Sequence, residues 1–254
     1  TSATAVTVLN KLRERLSVKD FGAVGDNVTN DTAAINAAIA AANSLTFPIE
    51  IYFPPGQYVI TGALTTFTKG HRMCGDGVRS AILTFSGNYD CITIKSTVAG
   101  TRVANAGIAH MAIYADSMTN GNTFVLDYCQ DTLLEDILVV NPFNMMSIRQ
   151  CGEVTLRDFK SVPMRGTYGI KAYGDGSTRN SETDKIDVLT LDNVLLQPET
   201  VYATLTTVDA IWLDGYVQTV NLNMIALLQP QRGIHTTNTP AVANPLWPSF
   251  INGY

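Results

Sequence analysis

The chain has 254 residues, 15% of them charged and 46% hydrophobic, with a formal net charge of −5 at pH 7. That surplus of acid, with no basic run or stripe, excludes a surface that tracks nucleic acid. No apolar stretch reaches the roughly 20 residues of a membrane span and no signal-peptide order opens the sequence, so membrane insertion is not expected. Cys74, Cys91, Cys129 and Cys151 fall in no metal-ligand spacing and the three histidines are scattered, so neither a metal nor a cofactor is expected.

In chain order, residues 1–16 form a candidate helical arm, with Leu9, Leu12 and Leu16 on one side. A helix of about a dozen residues is marginal alone in water, so self-association explains this segment better than a solitary helix does; a frayed arm is the alternative. The stretch VKDFGAVGDNVTNDTAAINAAIAAA follows, from Val18 to Ala42. Asn30 or Asp31 is placed to cap a helix whose Ile35, Ala38, Ile39 and Ala42 make a narrow apolar stripe. Ile49, Ile51 and Phe53 then alternate as a strand, Pro54-Pro55-Gly56 turns, and Tyr58 and Ile60 begin another strand.

Beyond residue 90 two patterns recur. Ile92-Thr93-Ile94-Lys95, Phe124-Val125-Leu126-Asp127, Met146-Ser147-Ile148-Arg149, Tyr168-Gly169-Ile170-Lys171 and Ile211-Trp212-Leu213-Asp214 alternate inward and outward. Ile108-Ala109-His110-Met111, Leu134-Glu135-Asp136-Ile137, Leu156-Arg157-Asp158-Phe159 and Leu191-Asp192-Asn193-Val194 share a turn-former in third place, with Leu222-Asn223-Met224-Ile225 as a weaker copy. Leu126, Ile148 and Ile170 follow at intervals of 22 residues, as do Leu134 and Leu156. Such a period signals a solenoid, and with no helical pattern inside it the fold expected over residues 17–254 is all-β, a right-handed parallel β-helix. Leucine-rich-repeat spacing is absent. The third-place residues tolerate a left-handed backbone, so Asp136 and Asp158 are corners by default. The Ala-rich helix is the cap on the first coil.

Taken together, VKDFGAVGDNVTNDTAAINAAIAAA, IYFPPGQYVI and CGDGVRSAIL resemble the N-terminal region of the pectate-lyase-like superfamily of right-handed β-helices, in the form common in bacteriophage tailspikes. The likeness covers about residues 6 to 95 and departs at Asn27 and Asn30, where Gly and Asp are usual. It implies that residues 1–16 are the neck of a homotrimer joined to a phage tail or baseplate through its N-terminus, located in the virion after synthesis in the host cytoplasm. It also implies binding, and depolymerisation by hydrolysis or elimination, of a bacterial surface polysaccharide such as capsule or O-antigen. A non-catalytic virion stem and a bacterial polysaccharide lyase or hydrolase are the alternatives. The run from Pro248 to Tyr254 has no cap, so the natural protein is expected to continue.

Two long connections, Thr97 to Asn105 and Tyr173 to Lys185, are expected to stand as walls around two short coils, giving a saddle. On its floor Asp131 and Glu153 occupy equivalent places in consecutive coils. Coils stack about 4.8 Å apart, near the carboxylate spacing of retaining glycosidases, so these two are the expected acid and nucleophile; solvated turn residues are the bland alternative. Arg179, Glu182 and Asp184 on the rim are candidate substrate-binding residues. Two outward rows, Lys95/Asp127/Arg149/Lys171/Asp214/His235 and Glu135/Arg157/Asp192, read as salt-bridge ladders on a solvated face, and Cys129 and Cys151 as a buried thiol stack.

Overall fold

The structure, a computed structural model, describes residues 15–174, 185–198, 209–215, 217–228, 230, 232–237 and 249–251. Every strand pairing is parallel: a 12-stranded sheet, a six-stranded sheet and a two-stranded ribbon make the sides of a parallel β-helix. A representative coil runs up the six-stranded sheet from Asn122 to Asp127, turns, enters the large sheet over Thr132–Val140, and returns to the six-stranded sheet at Asn144–Arg149.

Alternation does the folding. In register along the six-stranded sheet lie Ile92, Phe124, Met146, Ile170 and Ile211, all buried; on the large sheet Leu134, Leu156 and Leu191 do the same. Phe124 and Phe159 meet edge to face across the interior with centroids 6.0 Å apart, joining the two walls. No coil can bury its inward row without its neighbours, so stability rests on stacking.

Each copy of the second pattern bends where expected. His110, Asp136, Asp158, Asn193 and Met224 have φ between 48° and 57°, the left-handed region. Even Met224 obeys, although its long side chain has no polar atom to bond its own backbone. The corner between the sheets uses the same device at Tyr128, Asp131 and Gln150.

One part of the period departs from expectation. Leu126 lies against Ile148, but Ile148 lies against Ala172, and Ile170 pairs with Met146. The coil between them is two residues longer, with the excess between Phe159 and Tyr168. Because two residues is one full side-chain period, the interior set stays interior.

The cap is as expected in place and in face. The helix α1, Thr32–Ser44, buries Ile35, Ala38, Ile39 and Ala42 against the first coil. Asn36 and Asn43 on its flank bond the backbone of the next segment: Asn36 Oδ1 accepts from the Thr65 N–H at 2.6 Å and Asn43 Nδ2 donates to the Thr66 carbonyl at 2.9 Å. The two candidate capping residues divide the work. Asn30 accepts from the Thr32 N–H at 3.1 Å, whereas buried Asp31 turns away from the helix and accepts from the Val24 and Gly25 N–H groups at 2.7 and 3.1 Å. Asn27, standing where glycine is usual, takes a left-handed φ of 64°.

The helical arm is corrected at its last residues. Arg15–Ser17 is a strand paired with Glu50–Phe53, with Leu16 against Ile51; an extended segment can continue the sheet edge, which a helix cannot. The rest of the arm, residues 1–14, lies outside the described residues.

Candidate functional site

Asp131 and Glu153 stand at equivalent chain positions on adjacent coils. Asp131 immediately precedes Thr132, Glu153 immediately precedes Val154, and Thr132 and Val154 are register partners on adjacent coils. Both side chains are exposed. Asp131 accepts from the Gln130 amide at 2.9 Å and borders a depression of about 220 Å³ together with Arg72, Asn105 and Leu133. Neither carboxylate has a salt bridge among the described residues. Their neighbours do: Asp127 is gripped by Arg149 through two bonds of 2.6 and 2.7 Å and by Lys95 at 3.2 Å, and Glu135 by Arg72 at 2.5 Å.

The expected saddle is bridged on one side. Arg102, from the first long connection, reaches over Gly152 to Gln130 Oε1 and to Asp187 Oδ2, each at 3.0 Å, and to the Lys185 carbonyl at 3.3 Å. Lys185 in turn pairs with Asp187 at 2.9 Å. Gly152 makes room for this: a Cβ there would lie 1.8 Å from Gln130 Oε1 and 2.7 Å from Arg102 Nη1. One guanidinium, with only 13% of its side chain exposed, therefore ties the first long connection to the start of the strand Ile186–Pro198; residues 175–184 of the second connection lie outside the described residues. The rim candidates Arg179, Glu182 and Asp184 lie outside the described residues.

Around the corner, the six-stranded sheet carries a cluster with a different character. Trp212 stacks on His235 at 5.9 Å, Lys171 Nζ sits 3.7 Å from the Trp212 ring centre, and Tyr168 meets Trp212 edge to face. Buried Asp209 takes two bonds from Arg232, of 2.5 and 2.9 Å, and one from His235 Nδ1 at 3.0 Å. Burial raises the Tyr168 hydroxyl to about 12, so it stays protonated and donates to Asn122 at 2.7 Å. Aromatic faces with fixed polar groups beside them suit a ligand that is apolar on one side and hydroxylated on the other. The register explains why this cluster was missed: Lys171 and His235 stand outside the expected charged row, Lys171 beside Ser147 and Trp212 and His235 beside Trp212, while Tyr173 and Thr237 take their places beside Arg149 and Asp214. The second row stands as predicted, Glu135, Arg157 and Asp192 being register partners with ion-pair distances of 3.7 and 3.8 Å.

The sequence model for "Rhamnogalacturonase A/epimerase, pectate lyase-like" matches residues 15–157, more than half of the chain. The chain belongs to this family. Among curated relatives of this pectate-lyase-like chain, mannuronan C5-epimerase AlgE1 of Azotobacter vinelandii is 28% identical over 79% of the chain and 12% of its own length. The pre-neck appendage protein of Bacillus phage phi29 is 25% identical over 71% of the chain and 20% of its own length. The chain thus spans a fifth or less of these relatives. Solved structures agree on the fold: pre-mature bacteriophage phi29 gene product 12 has a TM-score of 0.58 at 15% identity, covering 91% of this chain and 35% of that one. PfbA, a surface adhesin of Streptococcus pneumoniae, has a TM-score of 0.59 at 13% identity, covering 91% and 70%.

Proposed function

We propose that this pectate-lyase-like chain is a tailspike-type receptor-binding protein of a bacteriophage virion that binds and depolymerises a bacterial surface polysaccharide. The pre-neck appendage relatives of Bacillus phages support the virion setting, and the family's descriptive name supports action on a polysaccharide. Residues 1–14, before the strand Arg15–Ser17, join the chain to the tail and to two further copies in a homotrimer. The observation that carries the enzymatic reading is the placement of Asp131 and Glu153, in register on neighbouring coils and free of ion pairs where the nearby acids are clamped.

Two carboxylates one coil apart suit hydrolysis with retention. In that mechanism one carboxylate of the pair acts as the nucleophile and the other carboxyl acts as the acid. That carboxyl protonates the glycosidic oxygen as the bond to the anomeric carbon breaks; the ionised partner attacks that carbon, and water later releases the glycosyl group. Rim residues Arg179, Glu182 and Asp184 contact the sugar.

Asp131→Asn and Glu153→Gln test this by release of reducing ends from capsule or O-antigen. Each is expected to lower turnover by at least about 100-fold. Unchanged turnover removes the pair. Absence of turnover by the unaltered protein on a polysaccharide that it binds favours the second reading, a non-catalytic binding stem, which the exposure of both carboxylates also favours. Sedimentation tests the trimer, and a monomer refutes it.

A further inference from the structure

Most of the described lysines and arginines are engaged by a carboxylate, a carbonyl or a ring. Among the described lysines and arginines, Arg15, Arg72, Lys95, Arg102, Arg149, Arg157, Lys185 and Arg232 hold carboxylates, Lys19, Lys69 and Arg165 bond carbonyls, and Lys171 lies on Trp212. Arg79 and Lys160 alone among them have no ion pair, hydrogen bond or ring contact. Both line the same cavity, of about 650 Å³. Its floor is the column of left-handed corners, and its remaining polar lining is His110, Asp136, Asp158 and Asn193.

Along that column His110 Nδ1 lies 3.0 Å from Asp136 Oδ2, and Asn193 Nδ2 donates to Asp158 Oδ1 at 2.6 Å. Each carboxylate is thus held through one oxygen and keeps further acceptor capacity. In a chain of net charge −5, two unpartnered cations at one cavity mark a place for an anion. The acids among them weigh against a polyphosphate backbone, which would be repelled along its length. They suit a ligand with one negative group and several hydroxyl donors.

We infer that this corner cavity is a binding subsite for a negatively charged sugar residue, its anionic group on Arg79 and Lys160 and its hydroxyls donating to Asp136 and Asp158. The site lies five positions along the strands from Asp131 and Glu153 and would hold a polysaccharide without cleaving it. It rests on the polysaccharide reading above and not on the catalytic pair.

The test uses the full chain with labelled methyl groups, titrated with tetragalacturonate and with tetramannuronate, and with each tetramer after reduction of its carboxyls. At least one acidic tetramer is expected to shift the Val78, Ile137 and Leu138 methyl resonances that line the cavity, with its reduced form binding at least about fivefold more weakly. Arg79→Gln with Lys160→Gln is expected to weaken acidic binding about five- to tenfold without changing the melting temperature, since neither side chain has a partner to lose. Asp131→Asn with Glu153→Gln should leave these shifts intact, which separates this site from the fate of the catalytic reading. No shift with either acidic tetramer, equal binding of acidic and reduced forms, or unchanged binding by the double glutamine variant would each overturn the inference.

Discussion

Asp31→Ala is the sharpest probe of how the first coil is closed. The carboxylate accepts two backbone N–H groups, Val24 at 2.7 Å and Gly25 at 3.1 Å, and the residue's own N–H donates to the Val59 carbonyl at 2.8 Å, so one residue ties the opening loop, the helix start and the strand Gly56–Ile60. Hydrogen bonds to a charged acceptor contribute about 1.5–3 kcal/mol each. Val24 is half-exposed, so water re-solvates part of what alanine leaves open, and the expected loss is about 2–4 kcal/mol. In a domain of this size that lowers the melting temperature by roughly 5–10 °C. Near-ultraviolet circular dichroism at one fixed scan rate measures it, because a stacked coil that aggregates on unfolding makes the midpoint rate-dependent. Asp31→Asn keeps one acceptor oxygen but turns an amide N–H toward a backbone N–H, and should lose more than half as much. An alanine variant melting within about 1 °C of the parent would refute the argument, since it rests on these bonds being made in the fold and on nothing replacing them.

Three further outcomes are expected. His71 is buried with Nδ1 accepting from the Ile49 N–H at 3.1 Å, and burial foremost, with Lys69, depresses its pKa. The unfolded chain then binds a proton that the fold refuses, so stability should be full above about pH 6.5 and fall as the pH drops toward the folded value; His71→Asn should flatten that slope in pH-dependent melting. Gly152→Ala should cost less than about 1 kcal/mol, because the atoms it meets are ends of long side chains, yet it should displace Arg102 and quicken amide hydrogen exchange at Val103 and Ala104. Unaltered exchange would mean that the bridge does not hold the wall. Cys129 and Cys151 are fully buried, and the Cys129 thiol is raised by its hydrogen bond with Cys151 and by burial, so iodoacetamide at pH 8 should leave both unlabelled until the protein unfolds.

What the sequence makes legible follows from what repeats. Leu134, Leu156 and Leu191 recur in the same setting, so period and alternation place them in the interior; Asp136, Asp158 and Asn193 share a backbone demand that few residue types meet. Ile35, Ala38, Ile39 and Ala42 declare a covered face by helical spacing. Features that occur once were hidden. Asp31 and Asn30 are equivalent as sequence, and only the fold around Val24 and Gly25 separates their tasks. Lys171 was assigned to the wrong row because two extra residues in one coil leave the pattern unchanged while moving its register, and His235 because it stands two residues before Thr237, the partner of Asp214 in a later coil. For Asp131 and Glu153 the equivalence of position was readable, but the Arg102 bridge beside them, made by a single residue from a remote loop, was not. Arg79 and Lys160 give no signal at all, since lacking a partner is a property of the space around a residue.

The two-residue lengthening between Phe159 and Tyr168 sets a rule for what this architecture tolerates. A strand segment that grows or shrinks by an even number hands the next coil the same faces, whereas an odd change presents oily side chains to water and polar ones to the centre. Diversity in such a molecule is therefore cheap at the bends, where any length is admissible, and quantised in steps of two along the walls.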